Sequence, residues 1–358
     1  MTRQNPVCSI IPPFVLSRIA ETGTPEERAA ALHTLAISSG VRARRSLVRS
    51  LLASGAATVA ELGPAVPPET LAVYDVAGGG DADLPGTLKR ATHDPAAADP
   101  AVNQAYDGAD KTYHFYLDVF NRASVDGKGM TLVSSVHFSH ALDNAFWNGS
   151  QMVYGDGSGH FMAVGSLTKA LDVIGHELTH GVTQYTAALE YHAQPGALNE
   201  SISDVFGSLV RQRDLGQSAD QADWLIAPGI LGASLHGVAL RSMKEPGTAF
   251  QGDPQPATMA GYVKLPVDSD PEHDNGGVHI NSGIPNHAFY LAAVAIGGNA
   301  WEAPGRIWYD ALTTRIHATA NFHDAAHATV ASARGLYGAS SSQAKAVRNA
   351  WREVGVLH

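Results

Sequence analysis

The sequence predicts an α+β protein of two lobes, the first β-rich and the second mainly helical, preceded by a short, partly helical N-terminal segment. Three observations carry this reading. Between Leu71 and about Gly165, short runs such as Leu71-Ala-Val-Tyr-Asp, Met130-Thr-Leu-Val-Ser-Ser-Val and Met152-Val-Tyr alternate with the turn signals Gly78-Gly79-Gly80-Asp81 and Asp156-Gly157. From residue 167 onward, apolar residues recur at the three-to-four spacing of helices. The first 55 residues hold seven arginines, no lysine, no aspartate and three glutamates, a net charge of +4. The whole chain carries −10, so −14 remains for the rest.

In chain order, Thr24-Pro25-Glu26-Glu27 predicts a helix start, with a capping hydroxyl, proline at the first helical position and acids in the first turn. Gly40 is the expected stop. A basic segment on an acidic body suggests electrostatic docking, with a solvated basic arm as the alternative. Small residues and prolines between 53 and 68 read as a linker. The expected organisation is 1–55, a linker or processing region at 56–70, a first lobe at 71–188 and a second at 189–358.

Within the first lobe, a helical interlude at 107–119 carries Tyr113, Phe115 and Tyr116, with Phe120 just beyond, an aromatic set that belongs to a core. A helix is expected at 167–185, with Leu171, Ile174, Leu178, Val182 and Tyr185 forming its buried stripe. Another begins near Asn199, with Ile202, Val205, Phe206, Leu209 and Val210 facing the core. Four further helices are expected at 286–295, 303–318, 323–336 and 342–354.

Composition narrows the function. A length of 358 residues, with 44% hydrophobic and 16% charged residues, suits two domains with a sizeable core. The acidic balance gives no footprint for nucleic acid, and no apolar run is long enough to span a bilayer. The N-terminus lacks the apolar region of a secretory signal. Cys8 is the sole cysteine, so no intramolecular disulfide can form. Cytoplasmic residence is the expectation, with signal-less export as the alternative.

The chemistry centres on His176-Glu177-Leu178-Thr179-His180. Residues four apart share a helix face, so both imidazoles can reach one metal ion, with Glu177 beside them to hold a water. His176 and His180 fall nearly opposite the apolar stripe, so that face should look into a cleft. Two histidines on a solvated helix are the alternative at this point. A catalytic zinc takes three protein ligands and keeps one open position. Glu200, 20 residues after His180, is the first good candidate for the third, and Asp204, one turn on, could accept the outer N–H of a ligating histidine. Acids near a helix start also complement its dipole, the plainer reading of both.

These residues, followed by Asp274-Asn-Gly-Gly-Val-His279-Ile-Asn-Ser-Gly, resemble the thermolysin family of zinc metalloendopeptidases. Asp143-Asn144-Ala145-Phe-Trp-Asn-Gly, Met152-Val-Tyr-Gly-Asp-Gly and Ala239-Leu-Arg241-Ser-Met extend the resemblance from residue 71 to the C-terminus. Ser9-Ile-Ile-Pro12-Pro13-Phe14 is similar to the short propeptides of the protealysin subgroup, which implies a precursor whose own propeptide is an intramolecular inhibitor.

The resemblance implies a two-lobe fold with the active-site helix between the lobes. It implies zinc on His176, His180 and Glu200, with Asp204 orienting His176. Glu177 would be the general base and later the acid. Tyr191 and His279, the latter held by Asp274, would stabilise the oxyanion. Asn144, the Ala145 carbonyl and Arg241 would hold the substrate backbone. Val173, Leu240 and Leu167 would line an apolar pocket for the residue after the scissile bond. Peptide or protein substrates are the expected partners, and a proteinaceous inhibitor is another.

Departures from the family carry expectations too. Asp172 matches one acid of the double calcium site, but Arg211, Leu225 and Val238 stand where other acids are expected. Calcium is therefore expected to be absent or reduced, with Arg211 substituting for the ion. Cys8 could occupy the fourth zinc position and keep the precursor latent, or pack as a small hydrophobe. His323-Asp-Ala-Ala-His327 copies the metal motif with aspartate for glutamate and reads as a decoy. A zinc aminopeptidase uses a spacing one residue shorter and leaves 274–283 unexplained. A non-catalytic scaffold does not account for an intact ligand set with Glu177 and His279.

Overall fold

The computed structural model describes residues 10–53 and 70–358, and for 41–53 the helix alone. Two helices open the described chain, α1 (Pro13–Thr22) and α2 (Pro25–Ala53). Thr24 caps the second helix as expected and forms a capping box with Glu27: Thr24 Oγ1 accepts from the Glu27 N–H, and Glu27 accepts from the Thr24 N–H at 2.7 Å. The helix then runs through Gly40 to Ala53, which corrects the expected stop. A Cβ added at Gly40 would meet nothing within 4 Å, so the position exerts no conformational demand and the glycine is simply carried.

The first lobe is a five-stranded mixed sheet in the order β2-β1-β3-β5-β4. β1 (Leu71–Asp75), β3 (Leu132–Val136) and β5 (Met152–Tyr154) run parallel, and β2 (Thr87–Ala91) and β4 (Ala145–Trp147) close the two edges antiparallel. Both edge strands were absent from the sequence reading. β4 has three residues and β2 is mostly exposed, so neither builds an apolar run of its own. Behind the sheet lies α3 (Pro100–Phe120), longer than the expected interlude because Asp99 caps it seven residues earlier. Its aromatic set is core, with Phe120 stacked on Tyr309 at 4.3 Å and edge-on to Phe206.

The central pair is α4 (Leu171–Gln184) and α5 (Ala193–Leu215). Leu167 is buried in the turn before α4 rather than on it. α5 starts two turns earlier than expected, which puts Glu200 well inside the helix and removes the dipole explanation for it. The crossing is close because both surfaces are glycine: a Cβ on Gly175 would lie 3.0 Å from Gly207 Cα, and one on Gly207 only 2.4 Å from Asp172 O.

The second lobe adds a two-stranded ribbon, β6 (Leu225–Ile226) with β7 (Arg241–Ser242), and helices α6 (Asp274–Asn281), α7 (Gly283–Ile296), α8 (Ala303–Thr314), α9 (Phe322–Tyr337) and α10 (Ser342–Glu353). The last four match the expected helices to within a few residues. No helix among the described residues is long and apolar enough to cross a membrane.

Candidate active site

His176 and His180 project from α4, and Glu200 from α5, so the close helix crossing sets their separation. Their Nε2 atoms lie 3.0 Å apart, and Glu200 approaches them at 3.5 and 3.6 Å. This is the one group of three such ligands found among the described residues. All three side chains are buried.

The outer nitrogens show what the inner ones can hold. His176 Nδ1 faces Asp204 Oδ1 at 2.8 Å, and His180 Nδ1 faces Asn199 Oδ1 at 2.8 Å. Asn199 donates its Nδ2 to the Leu189 carbonyl, which fixes the amide with its oxygen toward the histidine. Each imidazole therefore donates from Nδ1 and turns an Nε2 lone pair inward. Glu200 Oε2 beside them accepts no hydrogen bond. Three acceptor groups converge with no proton among them, which repels unless a cation lies between. Two nitrogens at the usual 2.0–2.1 Å from zinc are about 2.9 Å apart at a right angle and about 3.3 Å apart at the tetrahedral angle. The observed 3.0 Å lies inside that range, so the donor set fits zinc.

Asp204 is the hub beneath. It accepts Arg241 Nε and Nη2 at 2.8 and 2.7 Å, Asn286 Nδ2 at 2.8 Å, and His176. Burial alone would raise its pKa, but Arg241 and His176 outweigh that and hold the carboxyl far below the usual range. Arg241 is raised in turn by Asp204 despite its burial. The arginine expected to meet a substrate carbonyl is thus also tied through Asp204 to His176, a link the sequence did not show.

Glu177 accepts the Trp147 backbone N–H at 3.0 Å, so the edge strand β4 fixes the carboxylate. Tyr191 donates a short hydrogen bond to Glu200 Oε1 and lies 3.2 Å from His279 Nε2. His279 is delivered by an unusual turn: Asp274, Asn275, Gly276 and Gly277 all take positive φ, which favours glycine at the last two. Asp274 then accepts both His279 Nδ1 at 2.6 Å and the His279 backbone N–H at 2.7 Å. Burial lowers the His279 pKa, but the charges of Asp274 and Glu200 outweigh it and the net shift is upward.

The expected open cleft is filled. All of residues 172–183 are buried, so the face carrying His176 and His180 does not see solvent. Ile10 lies across two of the residues expected to hold substrate: its N–H points to the Ala145 carbonyl at 3.5 Å, and Arg241 Nη1 donates to its carbonyl at 3.2 Å. Asn144 Nδ2 donates to Ser38 Oγ at 3.0 Å, and the Asp143 N–H to Thr34 Oγ1 at 3.4 Å. Val173, Leu240 and Leu167 are buried in one apolar cluster with Ile10 and Ile11. Cys8 and, except for Thr70, the linker at 56–70 lie outside the described residues. Asn199, Trp147, Asn286 and Ser38 were missed by sequence reasoning. Of these, Asn199, adjacent to Glu200, and Trp147, inside the stretch from Asp143 to Gly149, lay within motifs already singled out.

At the expected calcium position, Arg211 clasps Asp223 with both terminal nitrogens at 2.9 and 2.8 Å. Asp172 is buried and bonded to the Ala227 and Val173 N–H groups. Burial raises its pKa, and the Arg211 charge acts against that rise. Leu225 is half-buried and Val238 exposed.

Residues 68–184 match the thermolysin metallopeptidase catalytic domain, 187–356 its alpha-helical domain, and 8–36 the protealysin propeptide. The chain is 44% identical to an extracellular metalloprotease of Pectobacterium carotovorum over 99% of its own length and 98% of that protein's. It is 42% identical to the protease PrtS of a Photorhabdus strain, over 97% of this chain and 91% of that one. The solved precursor of protealysin, a metalloproteinase from Serratia proteamaculans, superimposes with a TM-score of 0.82 at 43% identity, covering 98% of this chain and 99% of that one. Agreement at this level over both lobes and the leading segment means that the chain belongs to the thermolysin family of metallopeptidases, as a precursor with a protealysin-type propeptide.

Proposed function

We propose that this zinc-family precursor matures into an endopeptidase that cuts on the amino side of bulky apolar residues, with Glu177 as its proton carrier. The observation that carries the reading is the convergence of His176, His180 and Glu200 beside Glu177, with Tyr191 and His279 opposite. Zinc bound there supplies a Lewis acid that brings the pKa of water to roughly 7 and polarises a carbonyl. Glu177, fixed by the Trp147 N–H, takes the proton from the attacking water and returns it to the departing amine. Tyr191 and the His279 Nε2–H donate to the oxygen on which charge develops, and the Asp274 contact keeps His279 proton-bearing. Asn144, the Ala145 carbonyl and Arg241 align the substrate backbone, and Val173, Leu240 and Leu167 receive the next side chain.

Latency follows from occupancy. Ile10 takes the Ala145 and Arg241 contacts and Ser38 takes Asn144, so all three backbone anchors are used by the propeptide. Processing between about Arg45 and Leu71 would separate it from the catalytic lobes.

Hydrolysis of furylacryloyl dipeptides that differ in the residue after the scissile bond tests both halves. The processed enzyme should favour leucine and phenylalanine over glycine, and Leu240→Asn should flatten that preference. Glu177→Ala should lower kcat on the order of 10²–10⁴-fold with zinc content unchanged. Wild-type kcat in Glu177→Ala, or an unchanged preference in Leu240→Asn, would overturn the corresponding assignment.

A further inference from the structure

The pair His323 and His327, set aside as a decoy on sequence, behaves differently in three dimensions. α9 begins with a capping box: Asn321 Oδ1 accepts the Asp324 N–H at 3.0 Å, and Asp324 Oδ2 accepts the Asn321 N–H at 3.0 Å. Phe322, Ala325 and Ala326 are buried beneath this turn. The first turns therefore cannot rotate, and His323 and His327, four apart, are held on the exposed face. Their rings meet edge to face with centroids 4.4 Å apart, and their Nε2 atoms lie 3.2 Å from one another.

A direct Nε2–H to Nε2 hydrogen bond would need one ring to carry its proton there and the other not. Two exposed imidazoles can satisfy both nitrogens with water instead, so such a bond stabilises little. A cation is a better match. The separation lies between the about 2.9 Å and about 3.3 Å that two nitrogens adopt around one ion at right-angle and tetrahedral geometry. The buried pair His176 and His180 shows nearly the same spacing, 3.0 Å.

We propose that His323 and His327 form a second, surface metal site for a late first-row divalent cation, distinct from the catalytic centre. Imidazole donors without a thiolate suit copper(II), nickel(II) and zinc, with copper(II) the tightest in the general affinity order. Asp324 does not complete the site, because its carboxylate is spent in the capping box, and among the described residues no third ligand group joins the pair. Two protein ligands leave the remaining positions to water. The ion there binds more weakly than zinc at the buried triad and exchanges freely with solvent. The outer face of the second lobe thus takes up surplus metal without disturbing the ion that the reaction needs.

The test uses zinc-loaded, full-length Cys8→Ser/Glu177→Ala protein, which removes the only thiol and suppresses self-digestion. Nickel(II) is titrated calorimetrically, with protein-bound and released zinc counted in parallel. The parent should take up one nickel(II) per chain and keep its zinc. His323→Ala/His327→Ala should lose that equivalent while retaining one zinc and the parental Tm, and His327→Ala alone should weaken binding at least tenfold. Undiminished uptake in the double variant, no uptake in the parent, or uptake matched by zinc released would each overturn the site.

Discussion

At the scale of the residue, the site rests on Asp204 more than on any metal ligand. Its carboxylate receives His176, both near nitrogens of Arg241 and Asn286 in a space closed to water. Asp204→Asn keeps the shape and removes the charge, leaving a buried guanidinium uncompensated. Breaking a buried ion pair by removing one partner costs about 3–5 kcal/mol. Chemical denaturation of the zinc-bound precursor should show a loss of that size, together with reduced zinc content. Wild-type stability in Asp204→Asn would mean that Arg241 finds another counter-charge. The grouping of His176, His180 and Glu200 was legible because helical spacing and the Glu200 offset are local patterns. The Asp204–Arg241 link was not, because it joins residues 37 apart whose only signal is their burial together.

At the scale of the element, the α4–α5 crossing sets the ligand separation. A methyl group on Gly207 would sit 2.4 Å from Asp172 O and 2.9 Å from the His176 N, so it must push the backbone that carries a ligand. Gly207→Ala is expected to cost about 1–3 kcal/mol, as overpacking does, and to lower zinc affinity as well. Gly40→Ala, with open space around it, should instead be neutral or slightly stabilising. Thermal unfolding and equilibrium dialysis of both variants separate packing from composition. The same helix pair holds Asp172 and Arg211, where calcium is expected to be absent or reduced. A calcium-specific chelator should leave the Tm unchanged, and a clear fall would show that an ion is bound. Helix periods in the second lobe read well from sequence because each helix buries a continuous stripe. The edge strands did not, because their place is given by β1 and β5 rather than by their own residues.

At the scale of the whole molecule, the propeptide touches both lobes. α1 packs on the turn at 271–273, α2 sends Thr34 and Ser38 to the start of β4, and Ile10 bridges Ala145 and Arg241 between them. All of these contacts come from residues 10–38, ahead of the stretch between about Arg45 and Leu71 where the sequence places processing. On the proposal that the propeptide inhibits by occupying the anchors, a cut there changes the molecularity of inhibition and leaves the contact surface intact. Before it, the propeptide acts at an effective concentration on the order of millimolar, as short tethers give. Afterwards it acts only at the concentration of the protein itself. Freshly cut enzyme should therefore gain specific activity on dilution and lose it again when residues 1–53 are added back. Specific activity independent of concentration would mean that the fragment is destroyed rather than released. Activation would then be governed by crowding as much as by the protease that makes the cut: the enzyme stays restrained where it is concentrated and comes into action as it disperses.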